Sequence, residues 1–201
     1  MAFISLVISY LIGSISFSYL IAKKIAGIDI RLHGSGNAGA TNTLRVLGKG
    51  PAILVLLLDA SKGLVAMGIG YLITGGNLTV YALAGACAII GHNWPAFFGF
   101  RGGKGIATTV GVAIGFSPVS FLVAGVITLV VIAVTRYVSL GSLVFVTLLP
   151  ICLFLFEDAI IFAEVSLLLA VFAYARHYTN ILNLLSGKER KLGEPVHRNL
   201  R

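Results

Sequence analysis

Long apolar runs separated by short polar stretches limit the fold of this chain more than any other feature of its sequence. A transmembrane helix needs about 20 apolar residues, and four runs reach or approach that length: 3–22, 52–74, 138–156 and 159–175. The first run is expected to be a retained span rather than a signal peptide, because no basic residue precedes it and no small-residue cleavage site follows it. Of the 201 residues, 58% are hydrophobic and only 11% are charged. Because so few charged groups cannot cover the surface of a water-soluble protein, the sequence predicts an all-α, polytopic integral membrane protein.

A fifth apolar segment, residues 78–98, is interrupted near its end. It contains Gly91-His92-Asn93 and then Pro95, and proline removes a helical hydrogen bond and clashes with the preceding turn. We therefore expect the second half of this segment to bend or to end early.

The long apolar region 105–135 is divided by Ser117 and Pro118. Serine is a helix-capping residue and proline suits the first position of a helix, which predicts two segments, 105–116 and 119–135. The first would extend only about 18 Å, against a hydrocarbon core of about 30 Å. It therefore either starts below the membrane surface or forms a deep re-entrant hairpin with the next segment.

The positions of the basic residues favour a total of seven membrane segments. With seven, one side of the membrane carries Lys23, Lys24, Arg31, Arg45, Lys49, Arg101, Lys104, Arg136, Arg176, Lys188, Arg190, Lys191, Arg198 and Arg201. The opposite turns, 75–77, 117–118 and 157–158, carry no basic residue. Because cytoplasmic loops are enriched in Lys and Arg, we predict an N-terminus outside and a C-terminus in the cytoplasm. The net charge of +8 follows from this topology and indicates no nucleic-acid partner.

Neither repeats nor shifts in composition divide the chain, so residues 1–201 are expected to form a single membrane-embedded domain. Cys87 and Cys152 lie inside apolar runs and are expected to be core residues rather than a disulfide or a metal site. Lys62 is the basic residue within a span, and Asp59 lies one turn before it. This spacing predicts an intramembrane ion pair, more in keeping with a structural than a catalytic role.

The first of three polar stretches on the predicted cytoplasmic side is residues 35–45. We expect Asn37 to cap a short helix that runs to about Leu47 and ends at Gly48. The interleaved glycines would let backbone N–H groups converge on an anion. Arg45, about two helical turns further on, could close over a phosphate.

The second polar stretch contains Arg101-Gly102-Gly103-Lys104-Gly105, immediately before an apolar segment. The helix dipole would add to the two cations, so this stretch also predicts a phosphate site. It is not a Walker A loop, because Phe98 stands at the position of the first glycine and Gly105 at that of Ser or Thr.

The third polar stretch is residues 176–180, in which His177 and Asn180 are three residues apart. A histidine can take a proton near neutral pH, and a neighbouring amide can orient it or donate to an oxyanion. The two side chains would share a face if the helix continues. His33 and His92 are equally well explained as ordinary loop or helix-end residues, and His197 is discounted because it lies in the tail.

Several other chemistries do not fit the sequence. Ser35 is not the nucleophile of a GxSxG elbow, because His33 and Asn37 stand where that motif needs its two glycines. The His-x4-Asp pattern of common glycerolipid acyltransferases is missing, because Ala38, Phe97 and Leu182 stand where the aspartate would be. Acidic residues near the polar stretches are scarce, so we expect no metal cluster and no cofactor.

Three long motifs, SGNAGATNTLRVLGKG, GHNWPAFFGFRGGKGIATTVG and ARHYTNILNLLSGKE, resemble in order the cytoplasmic motifs of the bacterial PlsY family of acyl-phosphate:glycerol-3-phosphate acyltransferases. Trp94 and Arg101 are mild departures from that pattern. The resemblance implies acyl transfer from acyl phosphate to the 1-hydroxyl of sn-glycerol 3-phosphate, the first step of bacterial phospholipid synthesis. It further implies a bacterial plasma membrane protein, in contact with membrane lipid, with its site facing the cytoplasm. It also allows handover of the donor from a soluble acyl-phosphate-producing enzyme.

Site roles follow as hypotheses from the resemblance and from residue chemistry. Acyl phosphate is an activated mixed anhydride, so direct transfer without an acyl-enzyme can rely on positioning and charge stabilisation. Arg45 and Lys104 are expected to bind the two phosphates, Ser35 and Asn180 to orient the hydroxyl or the carbonyl oxygen, and His177 to assist deprotonation, unless a substrate phosphate is the base. The remaining residues expected to bind substrate are Gly36, Asn37, Gly39, Thr41, Asn42, His92, Arg101, Gly102, Gly103, Gly105 and Thr108.

Two alternatives remain at this point. A transporter of a phosphorylated metabolite would also need cations and glycines, but usually places its site near the membrane midplane between inverted repeats. A related acyltransferase could use a thioester donor such as acyl-CoA, and an assay with exchanged donors separates the two enzymes.

Overall fold

A computed structural model describes residues 1–194, and over this part of the chain it is helical, without a β-strand. The α-helices are α1 (Ala2–Gly13), α2 (Phe17–Ala26), α3 (Ala40–Leu47), α4 (Lys49–Ile73), α5 (Leu78–Asn93), α6 (Ile106–Phe116), α7 (Pro118–Thr135), α8 (Val138–Phe156), α9 (Ile160–Arg176) and α10 (Tyr178–Leu185). Short 3-10 helices occupy Ile30–Leu32 and Ala96–Phe98. The expectations for His197, Arg198 and Arg201 lie outside the described residues.

Four helical segments are long and apolar enough to cross a membrane: Ala2–Ala26, α4, α7 and α8. The pair α9 and α10 would make a fifth, with a bend of 63° between them, and α6 is a shorter apolar helix. Apolar side chains on the outer face of α7 are exposed, among them Leu129 and Val134. Exposed apolar surface on this scale is typical of a lipid-facing helix, so the prediction of an all-helical integral membrane protein is confirmed.

The first segment is a candidate span over Ala2–Ala26, as predicted, but its helix is interrupted. Helix α1 ends at Gly13 and α2 begins at Phe17. The interruption lies where α1 packs closely on α5, since an ideal Cβ built on Gly13 would lie 2.1 Å from the Ala88 carbonyl oxygen. Beside it, Ser14 Oγ accepts a hydrogen bond from the Ala96 N–H at 3.3 Å. These tertiary contacts accompany a short stretch of backbone outside a helix, between Gly13 and Phe17.

Two other predicted boundaries are confirmed. Helix α5 ends at Asn93, two residues before Pro95. Ser117 caps α7 by accepting a hydrogen bond from the Ser120 N–H at 3.1 Å, and Pro118 is the first residue of that helix. Proline therefore marks the end of one segment and the start of another, as its missing N–H requires.

Helix α5 lies at the centre of the bundle, where it contacts α1, α4, α6 and α9. Small residues permit close approach of the helices, as is usual in membrane bundles. An ideal Cβ on Gly111 of α6 would lie 1.9 Å from the Ala60 carbonyl oxygen of α4. Because these helices are held so closely, the end of α5 and the start of α6 provide a rigid base for the polar loops.

Candidate functional site

A cleft of about 930 Å³ lies where the three polar stretches meet at one end of the bundle. Basic side chains from five segments line it: Arg31, Arg45, Arg101, Lys104, Arg176, Lys188 and Arg190. Among the described residues that line the cleft, Glu189 is the only acid. Such a balance of charge favours an anionic ligand, and the volume is in the range of ordinary ligand sites.

The first polar stretch contributes Ser35, Gly36, Asn37 and Arg45 to the cleft wall. Asn37 does not cap the following helix, which was the prediction: α3 starts after Gly39, and no side chain caps it. Gly39 is extended at this position, so the backbone turns into the helix without help from a side chain. The predicted end of α3 at Gly48 is confirmed.

Asn42 is buried and shapes the loop from behind. Its Oδ1 accepts a hydrogen bond from the Ser35 N–H at 2.8 Å, and its Nδ2 donates to the His33 and Ile30 carbonyl oxygens at 2.9 and 3.2 Å. These bonds fold the chain back over α3 and place Ser35 at the cleft. Asn42 therefore acts on the site through the loop and not by lining the cleft.

The second polar stretch forms a tight turn on the end of α5. The Gly103 N–H donates to the His92 carbonyl oxygen at 3.1 Å, and an ideal Cβ on Gly102 would lie only 2.0 Å from that same oxygen. Arg176 clamps the turn from the other side, because its Nη2 donates to the Gly103 carbonyl oxygen at 2.8 Å and to that of Gly102 at 3.3 Å. The turn presents Lys104 to the cleft.

Lys104 joins the second stretch to the third. Its Nζ donates a hydrogen bond to Asn180 Oδ1, while Asn180 Nδ2 donates to Glu189 Oε1 at 2.7 Å. Glu189 Oε1 also accepts from Ser139 Oγ at 2.6 Å. Burial lowers the pKa of Lys104 to about 8; Glu189 opposes this shift, and the positive charge of Arg45 adds to it. Lys104 is therefore a cation at neutral pH that gains from binding an anion.

His177 lies at the junction of α9 and α10 and does not line the cleft. Only 3% of its surface is exposed, and its Nδ1–H donates to the Ala173 carbonyl oxygen at 2.8 Å. Helix α9 does not continue through His177, because the axis of α10 is bent by 63° from that of α9. The condition for His177 and Asn180 to share a face is therefore not met. The other ring nitrogen, Nε2, is the atom that remains able to exchange a proton.

The structure brings about half of the predicted site residues to the cleft wall. Those that line it are Ser35, Gly36, Asn37, Arg45, Arg101, Gly102, Lys104 and Asn180. Those that do not are Gly39, Thr41, Asn42, His92, Gly103, Gly105, Thr108 and His177. Thr108 is fully buried, since it packs on Gly63 of α4. The other residues that do not line the cleft lie in the loops around it or in the helices on which those loops pack.

The C-terminal tail brings residues to the cleft that the sequence did not reveal. Leu192 is anchored on Arg136, with its N–H donating to the Arg136 carbonyl oxygen at 2.7 Å and its carbonyl oxygen accepting from Arg136 Nη2 at 2.7 Å. This contact holds Glu189 and Arg190 at the cleft wall. The third motif ends at Glu189, but no role was inferred for that residue, and Arg190 resembles any charged surface residue.

Arg31 was also missed as a cleft residue. Its guanidinium is paired with Asp29 at 2.7 Å and donates to the Phe98 carbonyl oxygen at 2.7 Å. Arg31 thereby fastens the chain before α3 to the 3-10 helix that follows α5. The spacing of Asp29 and Arg31 suggests a local ion pair, but only the contact with Phe98 shows that the pair lies at the cleft.

Fold and site together define a membrane-embedded protein whose cation-lined cleft, at one end of a helical bundle, suits a phosphorylated substrate. The family model described as glycerol-3-phosphate acyltransferase matches residues 3–187. The chain belongs to this family of membrane enzymes.

Relatives with that name are similar over nearly their whole length. The glycerol-3-phosphate acyltransferase of Halalkalibacterium halodurans is 54% identical over 190 residues, 92% of each chain. That of Clostridioides difficile is 43% identical over 196 residues, 94% of each chain. A crystal structure of PlsY, an integral membrane glycerol 3-phosphate acyltransferase in its glycerol 3-phosphate form, is 37% identical with a TM-score of 0.89 and 96% of both chains covered. PlsY in its lysophosphatidic acid form is 35% identical with a TM-score of 0.86, covering 96% of this chain and 95% of that one.

Proposed function

We propose that this protein transfers a fatty acyl group from acyl phosphate to the 1-hydroxyl of sn-glycerol 3-phosphate, releasing 1-acyl-sn-glycerol 3-phosphate and inorganic phosphate. The observation that carries the proposal is the cleft of about 930 Å³ with seven cations and one acid on its described walls. Two phosphorylated reactants need such an excess of positive charge. The glycerol 3-phosphate and lysophosphatidic acid forms of PlsY support the acceptor and the product.

Acyl phosphate is the donor that this cleft suits best. Its phosphate needs cations, and its mixed anhydride needs no further activation by a covalent enzyme nucleophile. The acceptor hydroxyl oxygen attacks the acyl carbonyl carbon, the bond from that carbon to the phosphate oxygen breaks, and inorganic phosphate leaves. The hydroxyl proton passes to a substrate phosphate, because His177, the residue first expected to take it, does not line the cleft and burial lowers its pKa to about 4.

The two phosphates are bound by Arg45 and Lys104 with the backbone around Gly102 and Gly103, assisted by Arg101. Ser35 orients the attacking hydroxyl or the carbonyl oxygen from the opposite loop. Asn180 acts in part through Lys104, whose ammonium group it holds. Gly36 and Asn37 complete the wall around the ligand, while Gly39, Thr41 and Gly105 set the shape of the loops that carry it.

The acyl chain lies in an apolar groove between α8 and α9. This groove has a volume of about 390 Å³ and is lined by Thr147, Pro150, Leu167, Ala170, Val171 and Tyr174. Tyr174 is one helical turn before His177, so the groove runs toward the junction beside the cleft. An acyl chain in this position would keep contact with membrane lipid while its carbonyl reaches the phosphate-binding residues.

The topology that fits this reaction has seven membrane segments in a single domain over residues 1–201, in the bacterial plasma membrane. The N-terminus is outside, and the cleft and C-terminus face the cytoplasm. This arrangement is supported by the basic residues around the cleft and by the lack of basic residues in the turns at 75–77, 117–118 and 157–158. A soluble enzyme that makes acyl phosphate could then deliver the donor from the cytoplasmic side.

Exchange of the donor tests this proposal. Detergent-purified protein is supplied with glycerol 3-phosphate and either acyl phosphate, acyl-CoA or an acylated carrier protein, and acylated product is measured by mass spectrometry. We expect product with acyl phosphate only. Equal rates with acyl-CoA would overturn the proposed donor, and no product with any donor would overturn the proposed reaction. A transporter cannot give a positive result, because detergent leaves no second compartment.

A further inference from the structure

Three polar side chains, Asp59, Lys62 and His92, form a buried cluster directly below the turn that carries Lys104. Only 1%, 3% and 5% of these side chains are exposed. A charged group at this depth is costly unless every donor and acceptor finds a partner. The arrangement of hydrogen bonds in the cluster is therefore informative.

Lys62 has three close polar partners, two of them through hydrogen bonds and the third, Asp59, through an ion pair. The Asp59 carboxylate oxygens accept no hydrogen bond from the described residues. Lys62 Nζ lies 2.8 Å from Asp59 Oδ1, 2.9 Å from the Ile15 carbonyl oxygen and 3.0 Å from His92 Nδ1. The Ile15 carbonyl is available because the chain between α1 and α2 is not helical. The predicted ion pair of Asp59 and Lys62 is thus confirmed, and the break in the first segment supplies its third partner.

This geometry decides which nitrogen of His92 carries the ring proton. An ammonium group has three donors and no acceptor, so His92 Nδ1 must accept from Lys62 through its lone pair. The alternative, donation from Nδ1–H to Asp59 Oδ1, would span 3.5 Å and would be too long for a good hydrogen bond. The proton of a neutral His92 ring is therefore on Nε2.

His92 Nε2 lies where the first and second polar stretches meet. An ideal Cβ on Gly103 would lie 2.1 Å from His92 Nε2 and 2.7 Å from the Ala38 carbonyl oxygen. The backbone of His92 also supports the turn, through the bond from the Gly103 N–H at 3.1 Å. The edge of the ring that carries Nε2 therefore packs against the turn at Gly103, next to the first stretch.

We propose that Asp59 and Lys62 are positioning residues for acyl transfer: they fix His92 in its Nε2–H form, and this N–H holds the Gly102-Gly103 turn against Ala38 so that Lys104 is correctly placed. The role resembles that of groups behind metal ligands, which set the tautomer and orientation of a histidine. The kinetic part of the inference rests on the proposed function, whereas the position of the proton does not.

Nitrogen NMR of protein labelled with ¹⁵N-histidine tests the tautomer without any substrate. His92 is assigned by loss of its signals in His92→Gln, and we expect a protonated Nε2 and an unprotonated Nδ1 at neutral pH. Asp59→Asn keeps the donor Lys62 but leaves its charge unpaired, so a part of the ring population should shift to the Nδ1-protonated form. Asp59→Asn/Lys62→Met removes the donor without leaving an unpaired buried charge, and the signals should then show both tautomers. A proton on Nδ1 in the wild type would overturn the inference.

Kinetics of the same variants test the consequence. We expect kcat/KM of Asp59→Asn/Lys62→Met to fall on the order of tenfold to hundredfold, while Asp59→Asn falls much less. Ser9→Ala is the matched control, because Ser9 also joins α1 to α4, through the Ala66 carbonyl oxygen at 3.4 Å, but does not touch the cluster. Wild-type kcat/KM in a folded double variant that has lost the tautomer would overturn the positioning role. Product formation by the wild type separates this result from failure of the proposed function.

Substitutions of His92 provide the answer if the double variant does not fold. The amide of His92→Gln can place an N–H near the position of Nε2, whereas that of His92→Asn reaches only the position of Nδ1. We expect His92→Gln to retain clearly more activity than His92→Asn. Equal activities, or the reverse order, would contradict the role given to Nε2–H.

Discussion

Lys104 and Asn180, 76 residues apart in sequence, are joined by a hydrogen bond from the lysine Nζ to the asparagine Oδ1. The bond connects the turn before α6 to the first turn of α10, and Glu189 of the tail completes it by accepting from Asn180 Nδ2 at 2.7 Å. The second and third polar stretches and the tail are thereby joined in one site. The charge on Lys104 is the property of this site that is simplest to test.

The alkaline limit of activity should follow Lys104. Its pKa is lowered to about 8, chiefly by burial, so the ammonium is fully charged well below that pH and is lost as pH rises through it. We expect kcat/KM to fall above about pH 8, while substrate phosphates stay fully ionised because their second pKa is near 6. Lys104→Arg keeps its charge at high pH, so its residual activity should lack this fall. An identical alkaline fall in Lys104→Arg would assign the limit to another group.

Glu189→Gln should move the alkaline limit to lower pH. The glutamate charge raises the pKa of Lys104, so its removal lets the lysine lose its proton sooner. Glutamine can still accept hydrogen bonds from Ser139 and Asn180, which preserves the local structure. The pH dependence of kcat/KM measures the shift, and Glu157→Gln, in the turn after α8, is the control. A shift to higher pH would contradict the stated electrostatics.

Arg190→Ala should weaken binding of a phosphorylated substrate. Arg190 lines the cleft, and burial together with the charge of Arg190 lowers the pKa of Arg45, so the two guanidinium groups face the same space. We expect KM for one substrate to rise roughly fivefold to tenfold, as for loss of a charged hydrogen bond. Lys191→Ala is the matched control, because Lys191 lies 5.7 Å from the Tyr137 ring centroid and does not line the cleft. An equal rise of KM in both variants would mean that the net charge of the tail, and not the position of Arg190 in the cleft, affects substrate binding.

Gly111→Ala should destabilise the bundle. The new methyl group would meet the Ala60 carbonyl oxygen at 1.9 Å, and such overpacking costs about 1–3 kcal/mol. Gly68→Ala, in α4, is the control: no atom lies within 4 Å of its new Cβ, so the stability should be nearly unchanged. Thermal unfolding in detergent compares the two. Equal stability of both variants would show that α4 and α6 pack less closely than described.

Sequence alone located the helices where local chemistry sets their limits. Helix α8 has the predicted bounds, Val138–Phe156, and Ser117 with Pro118 begins α7 as expected. Hydropathy predicted the first span but gave no sign of the break between α1 and α2, because averaging over a segment cannot reveal the contact of Gly13 with Ala88. Long-range contacts, not local preference, divide that segment.

The site residues were also predicted only where local chemistry identifies them, and not where long-range contacts place them. Arg45 and Lys104 were identified because cations among glycines are unusual in an apolar chain. His92 and Thr108 were expected at the ligand, yet the packing of α5 and α6 directs them into the protein. Glu189 ends the third motif, but its place at the cleft was not predicted, since it depends on the contact of Leu192 with Arg136, 56 residues away.

The central claim is that this cleft uses Lys104 to transfer an acyl group out of acyl phosphate. Phosphorus NMR of purified protein with acyl phosphate and glycerol 3-phosphate follows both reactants and both products in one sample. We predict equimolar formation of inorganic phosphate and lysophosphatidic acid by the wild type, and a large loss of both in folded Lys104→Met. Phosphate release without lysophosphatidic acid, or an unchanged rate in Lys104→Met, would contradict the account.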